Sequence, residues 1–111
     1  ITPATSPAID CSLGNYFTID CSSTNVTGTW TLTNVPTTKS YSLVIEITTG
    51  GSTTIDWDSI SVNGGGAGNT IKWNGGAVPS FAASKPHLVI LTTDDTGATW
   101  LATSLVDFAT V

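Results

Sequence analysis

Residues 73–100 have the sequence WNGGAVPSFAASKPHLVILTTDDTGATW, and this stretch decides the fold predicted for the chain. Within it, His87–Leu91 (HLVIL) places apolar side chains toward both faces of a sheet, as in a strand that is covered on both sides. Asp94–Gly97 then forms a short hairpin loop, in which Gly97 can take a positive φ without steric cost. We therefore predict a C-terminal β-hairpin against which shorter upstream strands pair or pack.

Alternation of apolar and polar residues predicts the upstream strands. The longest alternating run is Ser40–Thr48 (SYSLVIEIT), and Gly28–Val35 (GTWTLTNV) alternates as cleanly. No window has the period of a helix. The sequence thus predicts an all-β fold with seven to nine short strands, in an antiparallel β-sandwich of the jelly-roll or immunoglobulin-like type. The expected core anchors are the four tryptophans, Trp30, Trp57, Trp73 and Trp100.

The chain of 111 residues is predicted to hold one domain, residues 8–111, preceded by an extended arm or linker at residues 1–7. Because the chain contains no methionine, we expect a processed product, a domain of something larger, or a chain whose first residues are missing. The tetrapeptide Ile-Asp-Cys-Ser occurs at Ile9–Ser12 and again at Ile19–Ser22. Four residues are too few to indicate duplication, so we interpret the match as coincidence.

Charge excludes two classes of function. The formal net charge is −5, and the only basic side chains besides His87 are three lysines. No basic stripe can be assembled from them, which argues against nucleic-acid binding and against attraction to an anionic membrane. Membrane insertion is not expected either, because no apolar run approaches the roughly 20 residues that span a bilayer.

The titratable residues do not form a recognisable catalytic or metal-binding pattern. His87 is the only histidine and opens the most apolar strand, and Asp94 and Asp95 are explained by turn chemistry. Asp56 and Asp58 could hold calcium with loop carbonyls, but the spacing of an EF-hand loop is missing. We therefore predict no enzymatic activity, no metal and no cofactor.

Cys11 and Cys21 are the only cysteines. A turn near Gly14 would place Cys11 opposite Phe17, so the register of the first hairpin favours free thiols over a disulfide. Free thiols fit folding in a reducing cytosol.

Exposed aromatic side chains could form a platform on which sugar rings stack. The candidate ligand-binding residues are Trp73, Tyr41 and Phe81. Burial in a small core is the alternative role for the same aromatic residues.

Several segments resemble β-rich domains of tailed-bacteriophage virion surface proteins. In tail-fibre and related proteins, a Trp-x-Gly-Gly-x-x-Pro segment precedes an apolar strand and an Asp-Gly-x-x-Trp hairpin. The similarity covers about residues 8–106, and the segments that carry it are Tyr16–Ile19, Thr29–Pro36, Tyr41–Ile45, Ile71–Pro79, Leu88–Thr93 and Asp95–Trp100.

This resemblance implies a non-enzymatic virion protein, folded in the host cytoplasm and displayed on the virion surface. Its expected partners are other virion proteins, further copies of itself in a homotrimer, and host-surface glycans. A fibre or surface adhesin domain for host attachment is the favoured role. A capsid decoration protein would instead clamp neighbouring subunits with arm residues Ile1, Thr2, Pro3 and Pro7. A carbohydrate-binding module of a secreted protein is a further alternative.

Overall fold

Strands occupy most of the segments in which alternation or an apolar run predicts them. The computed structural model describes residues 1–57, 59–66 and 68–110. Two 3-10 helices, Cys11–Leu13 and Asn74–Gly76, interrupt the strands. The strands are β1 (Ala8–Asp10), β2 (Tyr16–Cys21), β3 (Trp30–Thr33), β4 (Tyr41–Thr49), β5 (Ile60–Val62), β6 (Thr70–Trp73), β7 (Pro86–Thr93) and β8 (Thr99–Leu105).

The strands form two sheets in a solenoid-like arrangement. One sheet has the order β1-β3-β5 with parallel pairing, and the other has the order β2-β4-β7-β8-β6. Successive coils each contribute one strand to each sheet, so that β3 returns onto β1 and β4 onto β2. Val26 and Ile55 form an isolated parallel bridge between the first two coils. Each coil takes up roughly 30 residues, a length typical of repeats in solenoid proteins.

The all-β class and the predicted number of strands are confirmed, but the pairing differs from an antiparallel sandwich. Among the described residues, four of the six strand pairs are parallel, and the pairs that β7 makes with β4 and β8 are antiparallel. Alternation along a strand determines which side chains face the core, but it carries no information on the direction of the neighbouring strand. The parallel direction arises because the chain passes through the other sheet before it returns.

The two Ile-Asp-Cys-Ser segments form the same corner, at the ends of β1 and β2. In both copies the Ile and Cys side chains are buried. Asp10 Oδ1 accepts a hydrogen bond from the backbone N–H of Ser12 at 3.0 Å, and Asp20 Oδ1 accepts one from Ser22 at 2.9 Å. Interpreting the match as coincidence therefore missed a shared turn, in which a carboxylate satisfies the backbone as the chain leaves the strand.

Stacked indoles fill the interior between the sheets. The rings of Trp30 and Trp57 are parallel within 1°, with centroids 4.3 Å apart, and Trp73 meets Trp57 edge-on at 5.8 Å. Trp30 Nε1 also donates a hydrogen bond to the carbonyl of Asp56 at 2.9 Å. Burial confirms Trp30, Trp57 and Trp100 as core anchors, whereas Trp73 is only half-buried.

Strands β7 and β8 confirm the predicted C-terminal hairpin. The hairpin lies between β4 and β6, so β6 of the third coil pairs with β8 and not with β4. Along β7, His87, Val89 and Leu91 are buried, while Leu88 and Ile90 on the other face are half-exposed. The sequence predicts that both faces of β7 are buried, but within this chain only one face is buried.

Side chains of the hairpin hold its loop. Thr93 Oγ1 accepts a hydrogen bond from the N–H of Gly97, and Asp95 Oδ1 accepts one from the N–H of Thr99, both at 2.9 Å. Gly97 has the expected positive φ, at 78°. A Cβ at this position would lie 2.8 Å from Cγ2 of Val62, so glycine is required both by the backbone and by the packing.

The N-terminal segment Ile1–Pro7, predicted to be an extended arm or linker, lies against the domain. The ammonium group of Ile1 donates a hydrogen bond to the carbonyl of Thr18 at 2.7 Å. The carbonyl of Thr5 accepts one from the N–H of Gly28 at 2.8 Å, and Pro7 is buried. The segment is therefore held by backbone hydrogen bonds to the first coil and to the start of the second.

We expect Trp30→Ala to lower the free energy of unfolding by about 3–5 kcal/mol, because it removes a buried indole and leaves a cavity beside Trp57. Urea denaturation followed by circular dichroism measures the change. Leu13→Ala is the control, since Leu13 is 79% exposed. A loss in Trp30→Ala no larger than in the control would contradict the assigned core.

We expect Gly97→Ala to destabilise the protein by about 1–3 kcal/mol, through strain at positive φ and overpacking against Val62. Gly51→Ala is a matched control, because a Cβ at Gly51 meets no atom within 4 Å. Thermal unfolding compares the two variants, and equal melting temperatures would show that the loop tolerates a side chain at position 97.

Candidate functional site

The three aromatic residues predicted as a ligand platform lie at separate places. Tyr41 begins β4, whereas Phe81 packs on His87, which pairs with Ile47 toward the other end of β4. The rise along an extended strand separates these two levels by roughly 20 Å. Trp73 ends β6 and packs edge-on against the indole stack. Within the described ranges no ring of the three packs on another, so they do not form one platform.

Tyr41 is occupied by contacts within the fold. Its hydroxyl donates a hydrogen bond to the carbonyl of Gly14 at 2.6 Å. Burial, followed by the hydrogen bond with the Cys11 thiol, raises the pKa of Tyr41, so the phenol stays protonated at any physiological pH. Tyr41 therefore holds the turn after the first 3-10 helix.

His87 is fully buried, and both ring nitrogens make contacts within the fold. Nδ1 accepts a hydrogen bond from the N–H of Asp107 at 2.9 Å, and Nε2 lies 3.1 Å from the carbonyl of Ala82 and 3.2 Å from Oγ1 of Thr49. A neutral ring protonated at Nε2 satisfies the backbone contacts at both nitrogens. Burial lowers the pKa of His87, although the Ala82 carbonyl and the Asp107 carboxylate oppose the shift. His87 thus ties the segment after β8 to the start of β7.

Three carboxylates serve as acceptors in turns. Asp10 and Asp20 bend the corners after β1 and β2, and Asp95 holds the hairpin loop. Hydrogen bonds lower the pKa of each: Asn34 contributes most for Asp10, Ser22 for Asp20, and a backbone N–H for Asp95. These groups are ionised at neutral pH and their charge stabilises the turns.

Cys11 and Cys21 are free and buried, as predicted, but β1 and β2 lie in different sheets and do not form the hairpin on which the prediction rested. Burial raises the pKa of both thiols, and that of Cys21 to about 11. The thiolate is the reactive form of cysteine, so neither residue has the character of a nucleophile at neutral pH.

A groove of about 320 Å³ lies beside the loop between β7 and β8. Asp95 is committed to the loop, whereas the Asp94 side chain is exposed at the groove. Hydroxyls and carboxylates in such a lining can hydrogen-bond the hydroxyls of a sugar. The lining residues are Ser40, Thr92, Thr93, Asp94, Asp95, Thr99 and Leu101.

Sequence reasoning assigned Asp94 and Asp95 to the turn alone and missed the groove. Thr99 follows the loop within five residues of Asp94, which is a signal that the sequence contains. Ser40 immediately precedes β4, far from the loop in sequence, and joins the groove through the pairing of Tyr41 with Thr93. That pairing could not be inferred from the local sequence.

The described part of the chain contains no group of three or more His, Cys, Asp or Glu side chains arranged to hold a metal ion. Of the two carboxylates considered for calcium, Asp58 lies outside the described residues. No helix among residues 1–57, 59–66 and 68–110 is long and apolar enough to cross a membrane.

Comparisons of this chain with protein-family models, with curated proteins and with solved structures found no match.

We expect the free energy of unfolding to decrease as the pH falls below about 6.5. Burial lowers the pKa of His87 in the folded state below its ordinary unfolded value of about 6.5, so protons bind preferentially to the unfolded chain in this range. The stabilisation is complete above about pH 7 and is lost progressively as the pH falls below the unfolded pKa toward the lower folded pKa.

His87→Gln stays neutral throughout and should remove this pH dependence, even though the variant is less stable overall. Urea denaturation of both proteins at a series of pH values measures the two slopes. Equal slopes between pH 5 and 7 would contradict the assignment to His87.

Proposed function

We propose that this chain is a non-enzymatic domain of a tailed-bacteriophage virion and that it attaches the particle to the host surface. The similarity of residues 8–106 to β-rich virion domains supports the phage setting. The observation that carries the attachment role is the groove beside the β7–β8 loop, where hydroxyls and carboxylates line about 320 Å³ at one end of the larger sheet. Its proposed ligand is a glycan of the bacterial surface.

The roles of the titratable side chains favour binding over catalysis. A general base must reach its substrate, but His87 is fully buried and hydrogen-bonded to backbone groups on two sides. Asp95 holds the loop through Thr99, and both thiols are protonated. The chemistry left at the groove is hydrogen bonding by hydroxyls and by Asp94.

The solenoid-like stack suits a mechanical role on the virion surface. Each coil hydrogen-bonds to its neighbour along the strands, which gives a stiff unit with loops at the ends of the sheets. In the proposed assembly, other virion proteins and further copies of this chain hold the unit so that the groove faces outward.

The two alternatives receive less support. A decoration protein would need residues 1–7 free to grip other subunits, but Ile1 and Thr5 are hydrogen-bonded within the chain. A carbohydrate-binding module of a secreted protein would stack a sugar ring on Trp73, Tyr41 or Phe81, but each of these rings makes contacts within the fold.

The test is binding of the 111-residue chain to a panel of purified bacterial surface polysaccharides, measured by biolayer interferometry. We expect binding to at least one member, and we expect Asp94→Asn to weaken it by about tenfold, because a charged acceptor is replaced by a neutral amide. Binding to none of the panel would contradict the attachment role.

Asp20→Asn is the matched control, since it makes the same change at the far corner and its amide oxygen can still accept from Ser22. Equal weakening by both substitutions would exclude the groove as the binding site. Circular dichroism establishes that both variants are folded.

A further inference from the structure

The outer face of the five-stranded sheet is apolar at its centre. We use "outer face" for the exposed side of the sheet formed by β2, β4, β7, β8 and β6. The central strand β7 contributes Leu88 and Ile90, and neither it nor β8 places a charged side chain on this face. The aliphatic side chains of the outer face are Val44, Leu88, Ile90, Leu101 and Leu105.

Aromatic residues continue this surface along one margin. Tyr16 on β2 is 56% exposed and donates a hydrogen bond to Glu46 at 2.6 Å. Phe108 follows β8 and lines, with Tyr16, Pro86 and Leu88, a groove of about 290 Å³. Contiguous apolar surfaces of this kind are typical of interaction sites.

The outer face carries the acidic side chains Glu46 and Asp20 toward one margin and Lys72 at the other. Glu46 is on β4 and pairs with Leu88, whereas Lys72 is on the edge strand β6 and pairs with Leu101. Three strand spacings and four residues separate the two side chains, which is roughly 20 Å. Within one chain this distance is too great for Glu46 and Lys72 to form an ion pair. The Glu46 carboxylate accepts one hydrogen bond from Tyr16 and has further acceptor sites for a cation of another molecule.

We propose that two copies of this chain pair face to face through the outer face, with Lys72 of each copy against Glu46 of the other. A two-fold axis that passes near Ile90 and runs diagonally across β7 relates the two positions. The strands of the two sheets then cross at roughly a right angle, one of the two angles at which sheets pack. The same axis brings Leu101 over Val44 and Ile90 close to its own copy.

The area of the outer face is sufficient for a specific interface. Five strands at about 4.8 Å spacing and about seven residues in length cover roughly 550 Å² per copy, or ~1,100 Å² for the pair. The pairing would also cover β7 on its second face, as the unbroken apolar run at His87–Leu91 predicts.

This inference goes beyond the proposed function, because it concerns how copies assemble and holds for any ligand. It differs from the homotrimer that the resemblance implies, since a two-fold axis joins identical surfaces in pairs. The polysaccharide assay and the assembly assay use different readouts, so one proposal can fail while the other stands.

Sedimentation equilibrium of the full chain tests the pairing. We expect twice the chain mass of 11.4 kDa at high concentration. Glu46→Lys and Lys72→Glu should each weaken the dimer at least tenfold, because each places like charges together. The double charge reversal should restore it, which only a contact between copies predicts.

Leu105→Lys should also weaken the dimer, whereas Leu13→Lys, at a more exposed leucine outside the sheet, should not. Circular dichroism identifies any variant that fails to fold. If one of the single variants is unfolded, the variant with both charges reversed still tests whether the two positions meet between copies. A monomer at all concentrations, a trimer, or a double reversal that does not recover pairing would each overturn the proposal.

Discussion

The parallel stack of Trp30 on Trp57 is the interaction on which the fold depends. Trp30 comes from the three-stranded sheet, and Trp57 follows Ile55, which bridges to the first coil. This one contact therefore joins β3, the first strand of the second coil, to the segment at the end of the same coil. The hydrogen bond from Trp30 Nε1 to the Asp56 carbonyl holds the backbone at this point of the coil. The two sheets and the half-buried Trp73 are arranged around this pair.

Much of the secondary structure could be predicted from the sequence. β3 and β4 follow from clean alternation, and the β7–β8 hairpin follows from an apolar run, an Asp-Asp-Thr-Gly loop and a positive φ at Gly97. These features are local, so a sequence window contains them. The pairing of Tyr16 with Val44 joins residues from different coils, and no pattern within either strand indicates its direction. The antiparallel sandwich was therefore the wrong arrangement of mostly correct strands.

In the candidate site, too, the contacts between residues close in sequence could be predicted, and those between distant residues could not. The turn role of Asp95 is local and could be predicted, since an Asp side chain accepts from backbone groups a few residues away. The groove also needs Ser40, which precedes β4, and the separation of Tyr41 from Phe81 follows from the length of β4. The burial of His87 depends on Asp107 and Thr49, which approach it from distant parts of the chain.

The placement of the β7–β8 hairpin determines the order in which the chain can fold. In a regular solenoid each new coil docks on the one before it, so the structure can grow as the chain leaves the ribosome. Here β6 pairs with β8, and β4 pairs with β2 on one edge and with β7 on the other. The larger sheet therefore cannot close until residues 86–105 have been synthesised. Until then, the free edge of β4 and its apolar side chains are exposed, so the nascent chain is most prone to aggregation before these residues leave the ribosome.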